Sequence, residues 1–180
     1  MSIPLAHRAF AFDEHAFASE LRPLLLRALE TGEGAPLRAF IDANLNVLVD
    51  PYEGEPLTKG WADLLEAGDV QELGDFALTK YYDGDLDIGL DVDWEAIGEL
   101  LEKSGLSPNM ALGSPLGPEE KPFDPAREGA YFQTAGEVSS AVAELAALLQ
   151  ANPSLATELL PLQGMLQECA RTRRGLYVTF

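Results

Sequence analysis

The sequence predicts an α+β fold: a small, mostly antiparallel sheet that includes a hairpin at about 76–92, packed with several helices. Three observations lead there. The stretch Asp85-Leu86-Asp87-Ile88-Gly89-Leu90-Asp91-Val92-Asp93-Trp94 alternates apolar residues with acids or glycine, the period of a strand with one face in a core. The segment from Thr134 to Leu149 repeats apolar residues at helical spacing behind a capping box. Composition is 47% hydrophobic and 23% charged, ordinary for a folded soluble chain and unlike a disordered one.

In order, Ala9–Phe12 reads as a short strand. Asp13 is placed to cap a helix carrying Phe17, Leu21, Leu24, Leu25, Ala28 and Leu29. Pro23 either lies in the first turn of a second start capped by Ser19 or kinks the helix. Leu37, Phe40, Ile41, Leu45 and Leu48 form a second helical pattern, stopped by Asp50-Pro51, and Trp61, Leu64 and Leu65 suggest a short third one. Phe76–Tyr82 then reads as one hairpin arm. Asp83-Gly84 forms its type I′ loop, since both central residues of that turn need positive φ. That register sets Tyr81 opposite Leu86, Thr79 opposite Ile88 and Lys80 opposite Asp87.

After Trp94 the period becomes helical through Ile97, Leu100 and Leu101, with Asp91 or Asp93 placed to cap and Ser104-Gly105 to stop. Residues 105–130 are rich in proline and glycine. So long a connection inside a compact domain is often a binding loop. Thr134-Ala135-Gly136-Glu137 opens the next helix, which runs to Asn152-Pro153. A short helix from Ser154 to Leu160 is interrupted by Pro161, and the pattern resumes through Leu162, Leu166 and Ala170. Leu176–Phe180 reads as a closing strand. Residues 1–180 are treated as a single globular domain because no linker separates the halves.

Thirty acids against twelve bases give a net charge of −18. Between Asp50 and Glu102 sixteen acids face only Lys59 and Lys80, a balance of −14. Such a field repels phosphate backbones and anionic lipid, so neither nucleic acid nor membrane is expected as a partner, and it attracts cations. The only cysteine, Cys169, reads as a buried structural thiol in a reducing compartment. No signal-peptide pattern opens the sequence and no apolar run reaches the ~20 residues of a membrane span. A cytoplasmic location is expected.

Asp83-x-Asp85-x-Asp87 imitates the start of an EF-hand loop, but Ile88 stands where the sharp-turn glycine belongs and Trp94 where the bidentate glutamate belongs. His7 and His15, eight residues apart, fit no zinc signature and read as ordinary surface or core-edge residues. Gly113-Ser114-Pro115-Leu116-Gly117 has its serine one place early for a nucleophile elbow. No phosphate-binding or dinucleotide loop is present, so no cofactor is expected. With thirty acids, close carboxylate pairs arise by chance and carry no catalytic meaning alone.

Several pieces share an order with a known family. They are Leu90-Asp91-x-Asp93-Trp94 before a helix with Leu100-Leu101, then Gly113-x-x-Leu116-Gly117, then Tyr131-Phe132 ahead of Glu137-Val138 and a leucine-rich helix. Cys169-Ala170 before Gly175-Leu176-Tyr177-Val178 completes them. Together they resemble the YfbM-like family of small bacterial proteins of unknown function, across residues 85–180. Val92 departs from the pattern, standing where that family tends to have lysine. The resemblance implies an α+β fold and brings no catalytic residues with it.

The leading expectation is a non-enzymatic intracellular protein whose acidic surface binds a partner, for instance a basic toxin that it neutralises. The alternative is a small-ligand binder or enzyme with a pocket beside the 105–130 loop. The surface residues of interest are Asp85, Asp87, Asp91, Asp93, Trp94 and Tyr131. A third reading is divalent-metal binding through the acidic stretch 83–93, with Asp83, Asp85 and Asp87 as candidate ligands. Oligomeric state is not set by any of these features.

Overall fold

The computed structural model describes residues 3–180. Its fold is α+β, with eight helices among the described residues and one small sheet in the order β1-β4-β3-β2. The strands are β1 (Arg8–Phe12), β2 (Ser114–Pro115), β3 (Tyr131–Gln133) and β4 (Gly175–Thr179). The helices are α1 (Glu14–Glu20), α2 (Arg22–Thr31), α3 (Ala35–Ala43), α4 (Val70–Leu78), α5 (Trp94–Lys103), α6 (Asn109–Leu112), α7 (Ala135–Ala151) and α8 (Ala156–Arg171).

Although the sequence reads as one domain, contacts gather into two compact units, neither of them a continuous piece of chain. One unit takes the N-terminal segment up to Glu14 together with Leu86–Ser114 and Tyr131–Phe180; the other takes His15–Asp85 and Pro115–Ala130.

In the first unit β4 is the inner strand. All five of its residues are buried, and it pairs antiparallel with β1 (Phe10 opposite Tyr177) and with β3 (Phe132 opposite Tyr177). Alternation along these strands splits their side chains between two faces. Ala9, Leu176 and Val178 join a core with Val138, Ala141 and Leu145 of α7 and Leu159, Leu162, Met165, Leu166 and Cys169 of α8. Phe10, Phe12, Phe132 and Tyr177 project to the other face, their neighbouring ring centroids 5.2–6.1 Å apart. At α7 the Thr134 hydroxyl accepts the Glu137 N–H at 3.1 Å, as the capping box requires. α8 runs straight through Pro161, where the sequence predicts a break. The proline sits in its second turn, where burial of Leu159, Leu162 and Leu166 holds the helix.

The hairpin expected at 76–92 does not form. Val70–Leu78 is helix, followed by a 3-10 turn over Thr79–Tyr81. Asp69 caps α4, its carboxylate accepting the Glu72 N–H at 3.0 Å, and α4 buries most of its circumference in the second unit. Buried on every side, it loses the polar stripe that marks a helix, and Phe76–Tyr82 then mimics a strand.

The alternating stretch after it does lie along the edge of β1, as an irregular segment. His7 and Asp91 exchange two backbone hydrogen bonds at 3.0 Å, and Ile88 N–H donates to Ala9 O at 2.8 Å. Between these points side chains replace ladder bonds: Asp87 Oδ1 accepts Ala9 N–H at 3.0 Å, and Leu90 N–H goes to His7 Nδ1. Gly89 permits the approach, because a Cβ there would stand 2.2 Å from the His7 carbonyl oxygen. Asp91 then turns the chain at φ 52°, and Asp93 precedes α5 without bonding its N–H groups through its side chain.

Gly89→Ala is therefore expected to destabilise the protein by about 3 kcal/mol, since the clash is with backbone that cannot rotate away. Urea unfolding of the two proteins measures it, and a midpoint unchanged by the substitution contradicts the packing described.

Candidate functional site

One cavity, of about 690 Å³, lies in the second unit. One wall is the approach to α4 and its first turn, with Glu66, Ala67, Asp69, Gln71 and Glu72. Facing it are Glu120, Lys121, Pro122, Asp124, Ala126 and Arg127 of the proline-rich segment, and Tyr52 closes one end. Two α4 side chains fix the walls. The buried Glu72 carboxylate accepts the backbone N–H groups of Glu66, Ala67 and Gly68 at 2.8, 2.9 and 2.6 Å, an anion nest filled by the chain's own side chain. Gln71 grips the opposite segment, donating to Pro122 O at 3.0 Å and accepting from Asp124 N–H at 2.7 Å.

The segment is anchored beneath by Phe123, which is 1% exposed. Gly74 of α4 makes room for its ring, since a Cβ there would meet Phe123 at 2.7 Å. The rim carries strain. Ala126 and Arg127 both adopt the left-handed region, at φ 56° and 60°, each costing of order 1 kcal/mol in a non-glycine residue. Asp124 Oδ1 stabilises this corner by accepting Gly129 N–H at 2.8 Å.

Behind Tyr52 sits Asp75, 8% exposed. Burial pushes its carboxyl up to about 7, and the neighbouring Glu128, Glu72 and Asp50 add to the rise, while the Tyr52 hydroxyl hydrogen-bonded to it opposes. The Tyr52 phenol is itself raised, by burial first and then by Asp75.

A smaller cavity of about 320 Å³ belongs to the first unit, between α5 and α6. Trp94, Pro108, Ala111 and Leu112 give it an apolar floor, and Glu95 and Glu99 lie on α5 one turn apart at its edge.

The residues singled out from sequence are spread over several local roles. Asp83 and Asp85 are exposed, with Asp85 N–H donating to Asp83 Oδ1 at 3.0 Å. Asp87 accepts from Ala9 and Gly89 N–H, and its other oxygen stands 3.8 Å from Arg8 Nε. Among the described residues no group of three or more histidine, cysteine or acidic side chains is placed to hold a metal. The side chains of Asp91 and Asp93 are exposed. Trp94 and Tyr131 do come together, around Phe180: their ring centroids are 4.9 and 6.2 Å from it, and Trp94 Nε1 donates to Leu5 O at 3.0 Å. Cys169 is fully buried, and burial pushes its thiol up to about 12, so it is no nucleophile.

The sequence reading pointed to the 105–130 segment but missed its opposite wall. Glu72 and Asp75 carried the available signal, as two acids inside an otherwise apolar run. His7, which reads from sequence as an ordinary surface or core-edge residue, is 1% exposed.

No protein-family model, no curated protein and no solved structure matches this chain. The resemblance to the YfbM-like family rests on the quoted residues alone.

Asp75 sets a pH dependence whose sign is opposite to that of an ion-paired acid. Its folded-state value of about 7 exceeds the ordinary 3.8, so the folded form binds more protons between those limits. Its stabilising contribution is full below about pH 4 and is lost as pH rises toward and through 7. From this group alone the loss is about 3–4 kcal/mol between pH 4 and pH 8. Asp75→Asn, measured by urea unfolding across that range, is expected to flatten the alkaline side of the stability profile. An unchanged profile contradicts the assignment.

Proposed function

We propose that the protein binds a small organic cation in the cavity walled by the start of α4 and residues 120–127. The observation that carries this reading is the cavity itself, its walls fixed by the hydrogen bonds of Glu72 and Gln71. Pre-formed concave sites with a few fixed polar groups are where proteins bind small molecules. The sign of the ligand follows from the lining. Glu66, Asp69, Glu72, Glu120 and Asp124 outnumber Lys121 and Arg127, in a chain of net charge −18. An alkylammonium or guanidino compound suits this field, and an anionic metabolite is repelled by it.

The test is a calorimetric and thermal-shift panel of alkylamines, guanidino compounds, carboxylates and neutral sugars. Organic cations are expected to raise the melting temperature saturably, with a stabilisation of about 2.7 kcal/mol at a hundred times Kd. The variant Glu66→Gln/Glu120→Gln, altered at two exposed rim positions, should weaken binding about tenfold without lowering the unliganded melting temperature. Binding of anions in place of cations, or no binding anywhere in the panel, rejects the reading.

A second reading, capture of a basic protein, is supported by the α5–α6 cavity. A lysine or arginine from a partner could lay its aliphatic stem on Trp94, Pro108 and Leu112 and place its charged head between Glu95 and Glu99. Such a complex should weaken markedly as salt rises from about 50 to about 200 mM. Charge reversal by Glu95→Lys/Glu99→Lys should abolish it. An affinity indifferent to both changes counts against this surface.

A further inference from the structure

β1 lies at one edge of the sheet, where unpaired N–H and C=O groups invite another strand. Asp87–Asp91 covers that edge through the bonds at His7, Ala9 and Asp91 already described. The same segment is fastened a second time, by a side chain. Leu90 N–H donates to His7 Nδ1 at 3.0 Å, and on the far side of the ring Nε2 lies 2.7 Å from Ala111 O in α6. A carbonyl only accepts, so Nε2 carries the hydrogen; a backbone N–H only donates, so Nδ1 offers its lone pair. Both ring nitrogens are thereby committed, and only the neutral tautomer satisfies them.

We propose that His7 is an acid-sensitive latch, whose protonation at Nδ1 releases Asp87–Asp91 from the edge of β1. The proton comes from solvent and takes the lone pair that Leu90 N–H uses, leaving two donors face to face in a buried site. Packing around the ring opposes the charge. Burial is the largest influence and holds the imidazole below its usual value of 6.5, while the Ala111 carbonyl and Asp87 pull the other way.

The ionisable groups on the surrounding elements are few. The latch segment brings Asp87 and the exposed Asp91, and β1 brings Arg8, which stands beside Asp87. α5 brings the exposed Glu95 and Glu99, with Glu102 and Lys103 exposed at its far end, and α6 brings none. Trp94 and Phe180 present rings with centroids 6.4 and 5.8 Å from that of His7. A group depressed in the fold keeps its contribution above its unfolded-state pKa and loses it as pH falls through the folded-state value. The latch therefore opens on acidification.

Amide hydrogen exchange tests this on the intact protein. Below about pH 6.5 the protection factors of Ile88, Leu90 and Ala9 should fall about tenfold per pH unit, while buried amides of α7 and α8 keep theirs. His7→Gln retains one donor and one acceptor without titrating, so its protection factors should not depend on pH. Equal protection of Leu90 at about pH 5 and about pH 7.5, or the same acid loss in His7→Gln, overturns the proposal. Should His7→Gln fail to fold, the imidazole nitrogen shifts of the wild-type protein decide, read in a His15→Gln background that leaves one histidine. Protonation of Nδ1 must be accompanied by loss of Leu90 protection, and an Nδ1 that protonates while Leu90 keeps its protection overturns the latch.

Discussion

A single neutral imidazole holds three stretches of the first unit together. His7 directly precedes β1, Leu90 lies in the segment that covers the sheet edge, and Ala111 belongs to α6. Separations of 83 and 104 residues are bridged by two hydrogen bonds in a site 1% open to solvent. In such a site each bond is worth more through the penalty avoided than through its own net strength, because an orphaned buried donor costs about 1–3 kcal/mol. The neighbouring details fit around that ring: a glycine where backbone meets backbone, a left-handed aspartate that turns the chain, and Trp94 resting against Phe180.

The second unit solves a similar problem with carboxyl and amide groups. Glu72 gathers three N–H groups of the loop before α4, and Gln71, its neighbour in sequence, reaches the proline-rich segment some fifty residues away. Local helix geometry thus sets the distance between two cavity walls. Asp75, one turn further along, keeps a carboxyl among other acids where no cation offsets it, and burial holds its proton.

Much of the fold was legible because periodicity is a strong signal where one face is buried and the other wet. β1, β4, α5 and α7 lie where the pattern places them, give or take a residue. The missed helix α4 has a physical cause, burial that erases contrast. Val70–Leu78 buries Glu72 and Asp75 along with its apolar residues, so its helical period is masked and Asp83-Gly84 is taken for a hairpin loop. The Asp85–Trp94 alternation does mark a segment paired to a sheet edge. The expected ladder is interrupted because Asp87 and His7 insert side-chain atoms where backbone partners were anticipated. The cavity was half legible for a different reason. Proline and glycine density reveals a loop, while the residue that pins it is an ordinary glutamine on a helix.

The inner position of β4 bears on how the chain assembles as it is made. β1 and its partner, with Arg8 opposite Thr179, lie far apart in sequence, and β1 is made first. Asp87–Asp91 can pair with one edge of β1 early, but pairing with β4 waits for the chain between them, which at about 5–20 residues per second takes roughly 10–35 s. During that interval His15–Asp85 can form helices while the β4 side of β1 stays unpaired, and closing a loop of that length makes pairing with β4 the slow, late event. A truncation that removes only the last few residues deletes the strand on which both neighbouring strands depend.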